Sequence, residues 1–201
     1  MSGIEFFELL GRLIGETEAT RCLGRICNLS SLDEKFHGEI TNAEALAFYV
    51  YSTANGWHTY INAELWSGAP NPDVTAFAAV LNSGLSKLAP IKGVNGTVFR
   101  GYNARDLDVF AAQYIEGQVV TFPGFTSASF KEAGAFGGNV LFIIRALTAR
   151  AIWFLSPNFH EEEALLPTGC KFEVVDTQFQ VVESQRVKLV LILQEITPRL
   201  L

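Results

Sequence analysis

The spacing of apolar residues changes near residue 97, and this change constrains the fold more than any other feature of the chain. Before it, apolar residues recur at three- and four-residue spacing, as at Ile4, Phe7, Leu10 and Ile14, which is typical of amphipathic helices. After it, short apolar runs alternate with turn residues, which is typical of strands. Helices followed by strands predict an α+β fold, with the N-terminal helices packed on an antiparallel β-sheet or sandwich.

Residues 1–96 are predicted to form the mainly helical part. Thr41 and Glu44 have the spacing of a capping box, in which each side chain bonds the backbone N–H of the other residue. A helix should therefore begin after Thr41 and continue through Tyr49. The other candidate helices are Ile4–Ile14, Glu18–Ile26, Trp57–Trp66 and Asp73–Leu88.

Residues 97–201 are predicted to form the mainly β part. The candidate strands are Thr97–Gly101, Gln118–Phe122, Asn139–Ala146, Ala151–Leu155, Glu162–Leu166, Lys171–Gln178 and Val187–Gln194. Short helices are expected near Asp106–Tyr114 and Phe130–Phe136. Because the chain has no internal repeat and no obvious linker, residues 1–201 are predicted to form a single domain.

Composition excludes several classes of protein. Of the 201 residues, 49% are apolar and 18% are charged, which favours a compact globular fold over a disordered chain. The net charge of −6 argues against nucleic acid as a partner, since phosphate-backbone binding needs a basic face. No apolar run reaches the length of a membrane span and no Sec-type signal is visible, so we expect a soluble protein without a membrane partner. Cys22, Cys27 and Cys170 fit neither a disulfide framework nor a zinc site and are expected to be small apolar residues.

Two short motifs in the β part carry candidate ligand-binding groups. Arg100 ends a predicted strand and is followed by Gly101, so a guanidinium that can grip a pyrophosphate lies beside a backbone that a ligand can approach closely. Further on, Ser127 and Ser129 alternate with apolar or small residues and would share one face of a strand, where hydroxyls can orient a carboxylate or a ribose. Each motif also has an ordinary interpretation: a solvated arginine, and serines that cap a helix beginning at Phe130.

A third motif is the acidic run Glu161–Glu163, which leads directly into an apolar segment and Pro167. Along a strand Glu161 and Glu163 would share one face, and paired carboxylates beside apolar surface can divide the roles of base and charge stabiliser. The alternatives are an edge strand protected by charge and a glycosidase pair, although the aromatic cleft expected of a glycosidase is missing.

Together the three motifs resemble the mono-ADP-ribosyltransferases of the Arg-Ser-Glu class. The resemblance rests on Phe99-Arg100-Gly101, on Phe125-Thr126-Ser127-Ala128-Ser129, and on Glu161-Glu162-Glu163-Ala164-Leu165-Leu166-Pro167 in that order. The segment Tyr60–Leu65 also looks like the family's Tyr-x-x-Ile-Asn-x-x-Leu helix, and the similarity spans roughly residues 49–195. Two positions depart from the pattern: Ala128 replaces the middle threonine of Ser-Thr-Ser, and Trp66 replaces an arginine that often follows the helix.

The resemblance implies an enzyme with the ADP-ribosyltransferase fold that uses NAD as its substrate and needs no metal. Arg100 would hold the phosphates, Gly101 would bond the nicotinamide amide through its backbone, and Phe136 would stack on nicotinamide, although Phe136 also fits a plain core position. Glu163, oriented by Ser127, would stabilise the cation that forms on the ribose. Glu161 would orient and deprotonate an arginine acceptor, because a guanidinium is otherwise protonated and a poor nucleophile.

The resemblance therefore predicts transfer of ADP-ribose to arginine side chains of a target protein. An NAD glycohydrolase using the same site and a catalytically inactive relative that binds a protein partner remain the alternatives. The loop Ser156–His160 would recognise the target, with Phe159 as an aromatic anchor. The family further suggests a bacterial toxin or effector that is secreted or injected and acts in the target-cell cytoplasm, together with an immunity protein or a target that its producer lacks.

Overall fold

The computed structural model describes residues 1–27, 40–53, 55–89, 96–135, 137–153, 163–182 and 186–196. These residues form two compact units. The first contains the described residues up to 89 together with 152–153, and the second contains residues 96–151 and the described residues from 163 onward. Helices dominate the first unit and strands the second, which confirms the α+β class. That the whole chain is one domain stays a prediction.

Helices build the first unit, as the apolar spacing predicted. They are α1 Gly3–Ile14, α2 Glu16–Cys27, α3 Asn42–Ser52, α4 Trp57–Trp66 and α5 Pro72–Lys87. Helices α1 and α2 are amphipathic, whereas α3 is buried on nearly all sides. Their buried side chains include Phe6, Phe48 and Phe77. Helices α3 and α5 pack closely at Gly84, where an added Cβ would lie 2.6 Å from the Phe48 ring.

One buried carboxylate joins the start of α3 to α5. Thr41 and Glu44 form the predicted capping box, with Thr41 N donating to Glu44 Oε2 at 2.8 Å. The Glu44 side chain also accepts hydrogen bonds from Ser83 Oγ and Lys87 Nζ, both at 2.7 Å. Burial by itself would raise the pKa of Glu44, but the hydrogen bonds from Lys87, Ser83 and Thr41 outweigh it and hold the pKa below its usual value of 4.5.

Replacing Glu44 with glutamine should lower the free energy of unfolding by about 1–3 kcal/mol, because the amide leaves buried donors poorly paired. Since the pKa of Glu44 is lowered in the folded protein, the stabilisation by its carboxylate is present above pH 4.5 and is lost as the pH falls through the pKa of the folded state. Thermal unfolding of both proteins from neutral pH downward tests this, with Glu16→Gln, an exposed glutamate at the start of α2, as the matched control. Equal stability of wild type and Glu44→Gln at neutral pH would contradict the assignment.

The second unit is built on one eight-stranded sheet with the order β2-β7-β8-β4-β1-β3-β6-β5. The strands are β1 Thr97–Tyr102, β2 Val119–Phe122, β3 Thr126–Ser129, β4 Val140–Arg145, β5 Arg150–Ala151, β6 Glu163–Leu166, β7 Cys170–Val182 and β8 Arg186–Ile196. One face carries a hydrophobic core that includes Val98, Phe142, Phe172 and Leu191. A short helix, α6 (Leu107–Ala111), packs Phe110 against this core.

The sheet is mixed, so the prediction of a fully antiparallel sheet is wrong. Strands β4 and β8 are parallel neighbours, and every other pair is antiparallel. The long connection through β5, β6 and β7 separates β4 from β8 in the chain, which is the kind of crossover that parallel pairing requires. A sandwich of two sheets is not confirmed, since one hydrogen-bonded order runs through all eight described strands.

The predicted positions of most strands are correct, whereas two short helices and one strand differ from the prediction. The helix expected at Asp106–Tyr114 is limited to α6, and the one expected at Phe130–Phe136 is a single 3-10 turn, Glu132–Gly134, in its described part. Closely spaced glycines after Ala133 disfavour a longer helix there. The strand expected at Ala151–Leu155 is confined to β5 as far as the structure describes it.

Cys22 and Cys170 are buried free thiols, in agreement with their expected role as small apolar residues. Burial raises the pKa of Cys22 to about 11 and that of Cys170 to about 12, so both thiols stay protonated near neutral pH. The side chain of Cys27 lies outside the described part of the structure. Among the described helices, none combines the length and the apolarity needed to cross a membrane.

Candidate active site

Three neighbouring strands bring a serine and a glutamate of the sequence motifs onto one face of the sheet. Phe99 of β1 is the register partner of Ser129 in β3, and Ser129 is the partner of Glu163 in β6. Register partners share a face, and Ser127 lies two residues before Ser129, so it shares this face and is diagonal to Glu163 at about 7–8 Å between Cα atoms. Both serines are therefore strand residues, and no helix begins at Phe130 for them to cap; Ser129 Oγ instead accepts a hydrogen bond from the Lys131 N–H at 3.2 Å, just before the 3-10 turn Glu132–Gly134.

Arg100 lies where β1 and β3 separate. The two described strands share one register pair, Phe99 with Ser129, whereas β1 and β4 share six. Beyond Phe99 the pairing ladder is replaced by a side-chain bond, in which Nη1 of Arg100 donates to the carbonyl oxygen of Ser127 at 2.7 Å. We call this opening, bordered by Arg100, Gly101 and Ser127, the notch.

The residues at the notch and Glu163 are partly exposed to solvent, so a ligand can reach them. Arg100, Gly101, Ser127 and Glu163 are all partly exposed. The adjacent Ala128 is buried and belongs to the hydrophobic core, so the side chain at the middle of this motif faces away from a ligand at Ser127. With no side chain, Gly101 leaves room for a ligand to pass close to the backbone.

The fixed donors and acceptors of this arrangement suit an anionic ligand next to a developing cation. Nη1 of Arg100 bonds the Ser127 carbonyl oxygen, and the planar guanidinium, with five N–H donors in a fixed fork, has a geometry that matches two phosphate oxygens. The carboxylate of Glu163, on the same face as Ser127 in the adjacent strand β6, can stabilise positive charge. Behind Arg100, burial raises the pKa of Tyr114 to about 12, the nearby Tyr102 adds to this rise, and the positive charge of Arg100 opposes it.

Asn139 holds the segment that follows the notch, and the sequence reasoning missed it. Its side-chain amide donates to the Ala104 carbonyl oxygen and its oxygen accepts from the Ala104 N–H, both at 2.8 Å. The preceding Gly138 is so close to β1 that an added Cβ would lie 2.3 Å from the Tyr102 carbonyl oxygen. The Gly-Gly-Asn sequence before an apolar strand was the available signal for this contact.

Glu195 holds the turn before β5, the strand beside β6, and was also missed. Its carboxylate is 4% exposed and accepts hydrogen bonds from the backbone N–H of Leu147 at 2.5 Å and of Thr148 at 2.9 Å. The Thr148 hydroxyl donates to the same carboxylate at 2.5 Å. Because β5 pairs with β6, this buried acceptor supports the strand that carries Glu163.

Three predicted contributors lie outside the described residues: Phe136, Glu161 and the Ser156–His160 loop. Their roles stay predictions. The structure thus places Ser127 and Glu163 on one face of the sheet, and Arg100, which follows Phe99 and leaves the opposite face of β1, meets them at the notch through its bond to the Ser127 carbonyl oxygen.

The fold is that of ADP-ribosyltransferases. The ADP-ribosyltransferase HopU1 of Pseudomonas syringae superposes with a TM-score of 0.77 at 18% identity, covering 98% of each chain. Exoenzyme S of Pseudomonas aeruginosa, solved with human 14-3-3 protein beta and bound to carba-NAD, superposes with a TM-score of 0.68 at 18% identity and covers 95% of this chain and 87% of its own.

Sequence comparison defines the family. The profile of NAD:arginine ADP-ribosyltransferases matches residues 18–197, and the chain belongs to that family. A relative, the NAD(+)–protein-arginine ADP-ribosyltransferase Tre1 of Pseudomonas putida, is 33% identical over 145 residues, which is 72% of this chain. The match covers 28% of the relative's length, so the chain corresponds to about a quarter of that protein.

Proposed function

We propose that this chain transfers ADP-ribose from NAD to arginine side chains of a target protein. The observation that carries the proposal is the contact of Arg100 with Ser127 at the notch, with Glu163 diagonal to Ser127 on the next strand, in a chain of the NAD:arginine ADP-ribosyltransferase family. The carba-NAD bound to exoenzyme S and the arginine named in the description of Tre1 support the choice of donor and acceptor.

The reaction breaks the bond between nicotinamide and the ribose of NAD. Nicotinamide leaves with the bonding electron pair, and positive charge develops on the ribose as in glycoside cleavage. Glu163 stabilises this charge more strongly in the transition state than in the ground state, which is the condition for catalysis. Arg100 holds the pyrophosphate, the Gly101 backbone bonds the nicotinamide amide, and Ser127 orients Glu163.

Glu161 decides which acceptor completes the reaction. An arginine guanidinium must lose a proton as it attacks the ribose, and a carboxylate close to the acceptor can orient it and take that proton. Phe136 stacks on nicotinamide in this account. If water reaches the cation instead, the same site acts as an NAD glycohydrolase.

The setting that best fits the family is a bacterial effector. HopU1 and exoenzyme S, whose fold the chain shares, and the relative Tre1 all come from bacteria. We propose that the protein is delivered into a target cell and modifies a protein in its cytoplasm, with the Ser156–His160 loop contacting that protein. An immunity protein, or the absence of the target, would protect the producer.

Replacing Glu161 with glutamine should separate transfer from NAD cleavage. Incubated with NAD and agmatine, a small guanidine acceptor, the variant should form adduct about 10²–10⁴-fold more slowly because the base is lost. Nicotinamide release into water should change by no more than a few fold. Chromatography of the adduct and of nicotinamide measures both rates in one sample.

The matched control is Glu162→Gln, which removes the neighbouring charge from a residue with no assigned role. It should transfer ADP-ribose at the wild-type rate. Unchanged adduct formation in Glu161→Gln would exclude Glu161 as the acceptor's base. Consumption of NAD by the wild-type protein without any adduct would identify a glycohydrolase instead.

A further inference from the structure

An exposed tyrosine ring lies beside the notch and is stacked on the core. Tyr102, the last residue of β1, is 43% exposed, and its ring stacks on Phe110 of α6 with 5.1 Å between centroids and 21° between planes. Phe110 in turn contacts Tyr114 at 5.2 Å and Phe142 at 6.1 Å. One face of the Tyr102 ring is thus packed, and its exposed area belongs to the other face and the edge.

Hydrogen bonds fix the backbone next to each of the two stacked residues, Tyr102 and Phe110. Asn139 binds the backbone of Ala104 through both side-chain groups, which fixes the chain just after Tyr102. Asp106 caps α6 by accepting from the N–H groups of Asp108 and Val109, both at 3.0 Å, and so orients the helix that carries Phe110. A flat surface that is already rigid binds a planar ligand with little loss of conformational entropy.

The distance from Arg100 suits a base of NAD, and the face of the strand selects which one. Tyr102 follows Arg100 by two residues in β1, so the two side chains leave the same face of the strand with about 6.8 Å between Cα atoms. Arg100 is also the register partner of Phe142, whose ring contacts both Phe110 and Tyr114, so Arg100 leaves β1 beside the aromatic stack. When Arg100 holds the pyrophosphate, one ribose separates that group from each base of NAD. Glu163, which acts on the nicotinamide ribose, shares the face of Phe99 and Ser129, opposite to that of Arg100 and Tyr102, so the base on the side of Tyr102 is the adenine.

We propose that the exposed face of Tyr102 stacks on the adenine base of NAD, with Phe110 supporting the ring from behind. This inference rests on the proposed function, since it takes Arg100 as the ligand of the pyrophosphate. Because every purine has a similar π face, the platform should accept guanine or hypoxanthine in place of adenine.

Tyr102→Ala should weaken binding of a non-hydrolysable carbocyclic NAD analogue, measured by calorimetry, by about 5- to 150-fold, the range for loss of one base-stacking contact. AMP, which lacks the nicotinamide half, should lose affinity by the same factor. Tyr102→Phe should bind both ligands within about twofold of wild type, since the ring and not the hydroxyl makes the contact. Phe179→Ala is the matched control, because Phe179 of β7 is an aromatic residue of similar exposure (49%).

Kinetics distinguish adenine binding from general damage. In Tyr102→Ala the KM for NAD should rise while kcat is retained, and KM for nicotinamide mononucleotide, which has no adenine, should not rise. An equal loss with both donors, or unchanged AMP binding, would overturn the platform while leaving the transferase proposal intact. A wild-type protein that neither binds the analogue nor cleaves NAD would overturn the proposed function itself.

Discussion

Nicotinamide release from NAD should fall by about 10²–10³-fold or more when Glu163 is replaced by glutamine. The amide has nearly the shape of the carboxylate but carries no negative charge, so it cannot stabilise the cation that develops on the ribose. Glu163 lies in β6 opposite the buried Ser129, and an isosteric replacement should leave that pairing and the fold in place. The rate of nicotinamide release at saturating NAD measures the effect.

The control for this change is Glu173→Gln, which removes one exposed carboxylate from β7 of the same sheet. It should cleave NAD at the wild-type rate, and both variants should unfold at the wild-type temperature. If Glu163→Gln retained even a tenth of the activity, Glu163 would not be the group that stabilises the transition state.

Replacing Arg100 with lysine should raise the KM for NAD by about 10- to 150-fold, which corresponds to the loss of about 1.5–3 kcal/mol from one charge-assisted hydrogen bond. The planar guanidinium can bond the Ser127 carbonyl oxygen and phosphate oxygens at once. A lysine ammonium keeps the charge but presents a single point that cannot span both partners. Titration with the carbocyclic NAD analogue and steady-state kinetics measure the loss.

Arg145→Lys provides the comparison, because Arg145 is an exposed arginine at the end of β4, the strand next to β1. Its KM should equal that of the wild type. Unchanged affinity in Arg100→Lys would show that charge alone, and not the fork of the guanidinium, binds the pyrophosphate. An equal loss in both variants would point to a general electrostatic effect of the surface.

The elements that sequence predicts well are those whose signal is local. The capping box at Thr41 and Glu44 begins α3 as expected, and β1 begins at Thr97 where the apolar spacing changes. Strand β3 has a weak signal of its own, because Thr126–Ser129 is composed of small and hydroxyl residues. Its neighbours β1 and β6 hold it in the sheet, and only the motif indicated it beforehand.

In the candidate site, local motifs likewise identify the residues but not their arrangement. Motif order was enough to select Arg100, Ser127 and Glu163, but their arrangement depends on partners far apart in the chain. At the notch, where β1 separates from β3, the bond from Arg100 to the Ser127 backbone joins residues that are 27 positions apart. The contact of Asn139 with Ala104 spans 35 positions and that of Glu195 with Thr148 spans 47, so local sequence could not name the partner of either residue.

The most direct test of the central claim is to identify the residue that carries ADP-ribose. Proteins of a cell lysate are incubated with the wild-type protein and NAD, digested, and analysed by mass spectrometry with fragmentation that locates the modification. We predict ADP-ribose on arginine side chains with the wild-type protein and its absence with Glu163→Gln. Modification of another residue type, or release of free ADP-ribose with no modified protein, would contradict the assignment of this chain as an arginine-specific transferase.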